Sequence, residues 1–285
     1  MPRLRVPHVS ATRVRRFGRD MRGRLPRLPR VRGIIGPADL LTLTNGLMGF
    51  LVIAVVTGVA NLYEPPFFTG LAKTFPGLAG DDKFLLAAIL LVIAAISDAM
   101  DGIVARKFGG SNLGADLDTI SDTISFVVAP AVMIYVRYGG GEDLPFRALL
   151  VAALFMVMGM LRLARFNANP TESNTVTFEG LPTPWAAAIV TLIILVNVRA
   201  IFALPTIAVL AFLMMSSVAY PKSRGKVVYV ALAMAVAMVA TIVVILFFPD
   251  DQPRVLRGTL TFALLAVAIL PLMLARSGRT RRGGS

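Results

Sequence analysis

The sequence predicts an all-α protein, a polytopic bundle of about eight transmembrane helices. Three observations carry that expectation: an apolar composition, a series of apolar runs of spanning length, and a lopsided distribution of basic residues. Of the 285 residues, 56% are hydrophobic and 16% charged, with a mean hydropathy of +0.75, too apolar for a soluble domain of ordinary composition. Apolar runs of about 20 residues cross a hydrocarbon core of roughly 30 Å as helices.

The runs fall at 40–62, 83–105, 118–138, 146–166, 183–198, 200–219, 227–248 and 256–275. Asn197 and Arg199 interrupt the fifth and sixth, which otherwise form one long stretch. Short connections favour one continuous bundle over two domains. Cysteine is absent, which excludes a disulfide framework and a thiolate metal site. The single histidine, His8, lies in a basic tail and reads as solvated.

The net charge is +13. Eleven arginines lie between Arg3 and Arg32, with Asp20 the only acid among them. Such a tail suits anionic lipid headgroups better than nucleic acid. It lacks the apolar core of a secretory signal, so residues 1–33 read as a basic cytoplasmic arm. With both termini inside, 22 of the 29 basic residues fall on the inner side and 7 on the outer, a bias that orients the bundle in the cell membrane. The outer segments carry acid pairs instead: Asp81–Asp82, Glu142–Asp143 and Asp250–Asp251.

Residues 97–125 read SDAMDGIVARKFGGSNLGADLDTISDTIS. Asp98, Asp101, Asp118 and Asp122 thus sit at the ends of two apolar helices, where a charge costs up to about 2.5 to 3.5 kcal/mol depending on depth. Three- and four-residue spacing puts Asp98, Asp101, Gly102 and Ala105 on one helical face. Asp118 and Asp122 share a face in the same manner, with Ser125 below them. The glycine-rich loop KFGGSNLG lets the helices run antiparallel with their acidic faces together. Four clustered carboxylates repel unless cations sit between them, and oxygen-only ligands select hard ions such as Mg²⁺, Mn²⁺ or Ca²⁺. Two ions in such a cluster suit phosphoryl transfer. The small Gly102 and Ala105 leave room for a nucleotide, and Arg106 can pair with a phosphate.

This stretch resembles the signature of the CDP-alcohol phosphotransferases, D-x2-D-G-x2-A-R-x8-G-x3-D-x3-D, at Asp98, Asp101, Gly102, Ala105, Arg106, Gly114, Asp118 and Asp122. It departs in one respect: seven residues separate Arg106 from Gly114. The resemblance implies a six-helix catalytic core opening to the cytoplasm, two divalent cations (Mg²⁺ or Mn²⁺) held by the four aspartates, and a CDP-linked lipid donor. It implies Asp122 as general base as well as metal contact, and Gly102, Ala105, Arg106 and Gly114 as contacts to CDP. A homodimer is also implied.

Softer motifs, SFVVAPA after Asp122, RLARFN at 162–167, GLPTP at 180–184 and YPK at 220–222, resemble the phosphatidylserine synthase branch, including enzymes acting on CDP-archaeol. The resemblance covers roughly 40–225. Arg162 and Arg165, three apart, suit the carboxylate of L-serine, and equally the phosphate of glycerol 3-phosphate or inositol phosphate; Ser125 is assigned with them to the acceptor. Thr42, Asn45, Gly46 and Gly49 share a face of the first helix and border the nucleotide pocket or serve packing. Trp185 reads as an interfacial anchor rather than a substrate platform. The expected organisation is an arm at 1–33, a core at 34–225, two further helices at 226–275 and a basic tail at 276–285. The expected reaction joins L-serine to CDP-diacylglycerol or CDP-archaeol with loss of CMP. Its rivals are a phosphorylated polyol acceptor, a cation transporter, and a basic surface module that explains only the arm.

Overall fold

The computed structural model describes residues 36–58, 83–108, 111–140, 145–168 and 177–221. Six helices form there: α1 (Pro37–Thr57), α2 (Lys83–Phe108), α3 (Gly114–Tyr138), α4 (Pro145–Ala168), α5 (Thr183–Leu195) and α6 (Ala200–Met215). Each coincides with one of the first six apolar runs. The basic arm, the three outer acid pairs, the seventh and eighth runs and the C-terminal tail lie outside the described residues, as does Lys222 of the YPK motif.

The first four helices are long and apolar enough to cross a membrane. The last two have 13 and 16 residues, short of the roughly 20 that a full span requires. Asn197 is the physical cause. It adopts a left-handed backbone (φ 59°), which asparagine tolerates better than most residues, and so divides the long apolar stretch in two. The side chain of Arg137 donates to Asn197 Oδ1, and Tyr138 Oη donates to Val198 O at 3.2 Å, fixing the turn against the end of α3.

Helix α1 starts with Pro37, whose missing N–H costs nothing in a first turn, and Asp39 accepts the Gly36 N–H at 2.5 Å. It stops at Gly58, whose left-handed backbone (φ 74°) closes the last turn. Helix α2 runs antiparallel to it. Lys83 at its start donates to Val56 O at 2.8 Å, and Asp101 near its end meets Thr42 near the start of α1. Succeeding helices continue to alternate, so the starts of α1, α3 and α5 and the ends of α2, α4 and α6 gather at one end of the bundle.

Helix α3 is not uniform: Thr123–Val128 forms a π-helical turn. Pro130 supplies the reason, because it has no N–H for Phe126 O and its ring crowds that carbonyl. The chain widens instead, and Ala129 N–H bonds Ile124 O, five residues back. This turn packs tightly on α1. A Cβ added to Gly49 would lie 2.6 Å from Ser125 Cα, and one added to Gly46 would lie 3.0 Å from Ser121 Oγ. On the other side, a Cβ on Gly159 of α4 would lie 2.7 Å from Val127 Cγ1.

Two short strands, β1 (Thr177–Glu179) and β2 (Ala219–Pro221), pair antiparallel beyond the ends of α4 and α6. Gly180 follows with φ 77°, a conformation that leaves no place for a side chain against Met214. Leu181 N–H then bonds Leu213 O at 3.0 Å, so the GLPTP segment is anchored on α6 before Pro182 opens α5. The buried core runs through all six helices, from Val52 and Leu91 to Phe155, Ile189 and Ile207. Large apolar side chains such as Phe50, Ile103, Ile201 and Phe212 face outward, an arrangement suited to lipid rather than water.

Candidate active site

The site lies where α1, α2 and α3 come together. Helical spacing turns Asp98 and Asp101 toward Asp118 on the facing helix, and each of the three offers a carboxylate oxygen within 4.8 Å of the others. Asp101 is buried, and Asp98 and Asp118 are partly so. Ligand oxygens surround hard cations at about 2.0–2.6 Å, so opposite ligands stand roughly 4–5 Å apart. Three oxygen donors at this separation fit a divalent cation of the Mg²⁺, Mn²⁺ or Ca²⁺ kind.

Two side chains of α1 orient the carboxylates. Thr42 Oγ1 donates to Asp101 Oδ2 at 2.6 Å. Its carbonyl neighbour, Ala38 O, is 3.3 Å away, so the single hydroxyl proton goes to the carboxylate. Asn45 Nδ2 donates to Asp122 Oδ1 at 2.9 Å. Asn45 is fully buried, and its Oδ1 has no hydrogen-bond partner among the described residues. Asp122 stands outside the close trio.

Two cavities flank the cluster, and Asp98 and Asp118 line both. One, of about 460 Å³, is bounded by Asp101, Gly102, Ala105, Gly114, Thr42 and Asp39. The other, of about 480 Å³, is bounded by Asp122, Arg162, Thr183, Phe166, Asn167 and Trp185. The carboxylates therefore form a shared wall between a chamber of small residues and a chamber holding an arginine.

The residues singled out by sequence divide accordingly. Gly102, Ala105 and Gly114 line the first cavity. Arg106 is exposed and does not line it, although its Nη1 stands 3.5 Å from where a Gly102 Cβ would be. Asn45 does not border that cavity: Thr42 and Asp39, at the start of the helix, take the position, and Asn45 lies deeper against Asp122. Ser125 lines neither cavity. It is fully buried and donates to Asn45 O at 2.7 Å. The arginine pair also separates. Arg162 is buried in the second cavity, with Nη1 3.3 Å from Thr183 Oγ1, whereas Arg165 donates to Met215 O at the end of α6. Trp185 is found in the cavity wall.

Sequence reading passed over Asp39, Ser111 and Thr119, and held Asn167 and Thr183 only within longer motifs. Asp39 precedes Thr42 by three residues on the same helical face, a spacing that could have revealed it. Ser111 donates to Asp39 Oδ1 at 3.0 Å, and Asn167 Nδ2 donates to Thr119 Oγ1 at 2.8 Å across the mouth of the second cavity. Those two contacts, like that of Thr183 with Arg162, join distant segments and leave no local signal.

Comparison with known proteins agrees with this architecture. The family described as CDP-alcohol phosphatidyltransferase matches residues 37–215, and the chain belongs to that family. With four apolar helices of spanning length, it is an integral membrane protein. Among curated relatives, the chain is 35% identical over 169 residues to the CDP-diacylglycerol–serine O-phosphatidyltransferase of Helicobacter pylori, covering 55% of this chain and 68% of that one. It is 32% identical over 203 residues to the archaetidylserine synthase of Methanothermobacter thermautotrophicus, covering 69% and 74%. It is 38% identical over 154 residues to the CDP-diacylglycerol–serine O-phosphatidyltransferase of Methanocaldococcus jannaschii, covering 53% and 72%.

Proposed function

We propose that the protein transfers a phosphatidyl-type group from a CDP-linked lipid, CDP-diacylglycerol or CDP-archaeol, to the hydroxyl of L-serine, releasing CMP. The observation that carries this reading is the pair of cavities meeting at Asp98 and Asp118. Direct displacement requires donor and acceptor to enter from opposite sides of one reacting phosphorus, and a shared carboxylate wall supports such a meeting.

The CDP portion occupies the chamber of Gly102, Ala105 and Gly114, where the absence of side chains lets a diphosphate approach the helix backbone, and Arg106 serves as its counterion. L-Serine occupies the other chamber, with its carboxylate on Arg162 and its hydroxyl toward Asp122. Asn45 holds one oxygen of that carboxylate and so orients Asp122 to take the hydroxyl proton. A bond then forms from the serine oxygen to the phosphorus bearing the lipid, the bond from that phosphorus to the CMP oxygen breaks, and CMP departs. Asp98, Asp101 and Asp118 would hold divalent cations, Mg²⁺ or Mn²⁺ and two in number, with Asp122 as a further contact. When bound, such ions supply Lewis-acid stabilisation of the diphosphate charge.

Among the described residues the acceptor chamber holds one arginine, Arg162, which favours serine over a phosphorylated polyol. One guanidinium matches the single charge of a carboxylate with two parallel hydrogen bonds, whereas a phosphate monoester carries nearly two charges. The two serine phosphatidyltransferases and the archaetidylserine synthase among its relatives point in the same direction.

The wider architecture belongs to the same proposal: a core at 34–225 with six helices, two further spans at 226–275 to make eight, the arm at 1–33 and tail at 276–285 both cytoplasmic, and assembly as a homodimer in the cell membrane. The test is an acceptor screen on the purified protein: L-serine is expected to support metal-dependent CMP release, and release with glycerol 3-phosphate or inositol phosphate alone would overturn the serine assignment.

A further inference from the structure

We propose that Asp39 is a positioning residue that latches the loop between α2 and α3 to the head of α1, and thereby sets where α3 and its ligand Asp118 begin. Asp39 is 1% exposed, and burying a carboxylate is costly unless hydrogen bonds replace its water. Its two oxygens are divided between two segments. Oδ2 accepts the Gly36 N–H at 2.5 Å within its own helix cap, while Oδ1 accepts the Ser111 hydroxyl at 3.0 Å from a loop 72 residues further along the chain. A role in capping α1 explains the first bond and not the second.

The loop end is seated closely. Gly114 N–H lies 3.4 Å from Ser111 O, and a Cβ on Gly114 would stand 3.3 Å from both Asp39 Oδ1 and Ser111 Oγ. Asp118 follows one helical turn later, so the latch fixes the register from which that carboxylate projects. Asp39 and Ser111 both line the chamber assigned above to CDP; the inference rests on that reading for its kinetic consequence but not for its structural one.

The experiment uses the full chain in detergent, as wild type, Ser111→Ala, Asp39→Ala, Asp39→Asn and the Asp39→Ala/Ser111→Ala double variant. Three quantities are read: amide hydrogen exchange over 111–117, the affinity for Mn²⁺ alone by electron paramagnetic resonance, and KM for the CDP-lipid at saturating serine. Ser111→Ala leaves the α1 cap intact, so it is expected to melt like wild type yet exchange faster over 111–117. It should also bind Mn²⁺ about tenfold more weakly and raise KM by a similar factor, the size of a lost charge-assisted hydrogen bond. The double variant should be no worse in Mn²⁺ affinity than Asp39→Ala, since both remove one contact, and Asp39→Asn, which keeps an acceptor, should recover part of the loss. Wild-type exchange and Mn²⁺ affinity in Ser111→Ala would overturn the latch, as would losses that multiply in the double variant. Expected exchange and Mn²⁺ results in a protein that releases no CMP with serine would uphold the latch and overturn the serine-transfer reading.

Discussion

At the scale of single residues, the two arginines of α4 have separable jobs. Replacing Arg162 by alanine is expected to raise the KM for L-serine by roughly ten- to a hundredfold, the loss of a charge-assisted contact, with the KM for CDP-lipid little changed. Arg165→Ala should leave the serine KM near wild type, because its guanidinium is spent on Met215 O; an equal effect from both would contradict the assignment. Asn45→Ala should act differently from either. With its amide gone from Asp122 Oδ1, kcat is expected to fall by about an order of magnitude or more, with both KM values held, in steady-state assays at saturating metal. The aspartates were legible in sequence because carboxylates in an apolar stretch are costly and helical spacing alone brings them to one face. Asp39 could be read from the same spacing. The divergence of Arg162 and Arg165 could not, since it depends on where α5 begins and α6 ends against α4.

At the scale of elements, the contact of α1 with the π turn of α3 carries the alignment of Asn45 with Asp122. A methyl group on Gly49 would meet Ser125 backbone atoms at 2.6 and 2.8 Å, so Gly49→Ala must push the two helices apart. We expect it to destabilise the protein by about 1–3 kcal/mol, the usual scale of overpacking, measured as a lower unfolding midpoint in detergent. Gly102→Ala is the contrasting case: among the described residues its Cβ meets only Arg106 Nη1, at 3.5 Å. Stability should hold while the KM for CDP-lipid rises, because the methyl group enters the nucleotide chamber. Equal stability losses would show that the chamber is not open space. Apolar length made six helices readable in advance, and Asn197 already marked the break between α5 and α6. The π turn was not foreseen, although Pro130 is its cause, because proline within an apolar run can equally kink or end a helix. Ser125, within that turn, donates to Asn45 O and so faces α1.

At the scale of the whole molecule, alternation of the helices gathers the described site residues at one end of the bundle, the end that the proposed orientation turns toward the cytoplasm. The chain has no cysteine, so single cysteines report topology without interference. Lys107→Cys at the site end and Arg147→Cys at the opposite end are expected to differ in intact cells: an impermeant maleimide should label position 147 directly and position 107 only after permeabilisation. The reverse pattern would invert the orientation. The positive-inside bias was available from sequence because it needs only loop charges, whereas the two chambers on a common carboxylate wall emerge only when α1, α4 and α5 close around α2 and α3.

The central claim is tested most directly by CMP release from CDP-diacylglycerol or CDP-archaeol by the purified protein with Mg²⁺ or Mn²⁺, comparing L-serine, glycerol 3-phosphate and inositol phosphate, with Asp122→Asn alongside. Metal-dependent release that requires L-serine and falls by at least about a hundredfold in Asp122→Asn is the predicted result. Release supported by a phosphorylated acceptor and not by serine, or turnover with serine that survives the loss of the Asp122 carboxylate, would contradict it.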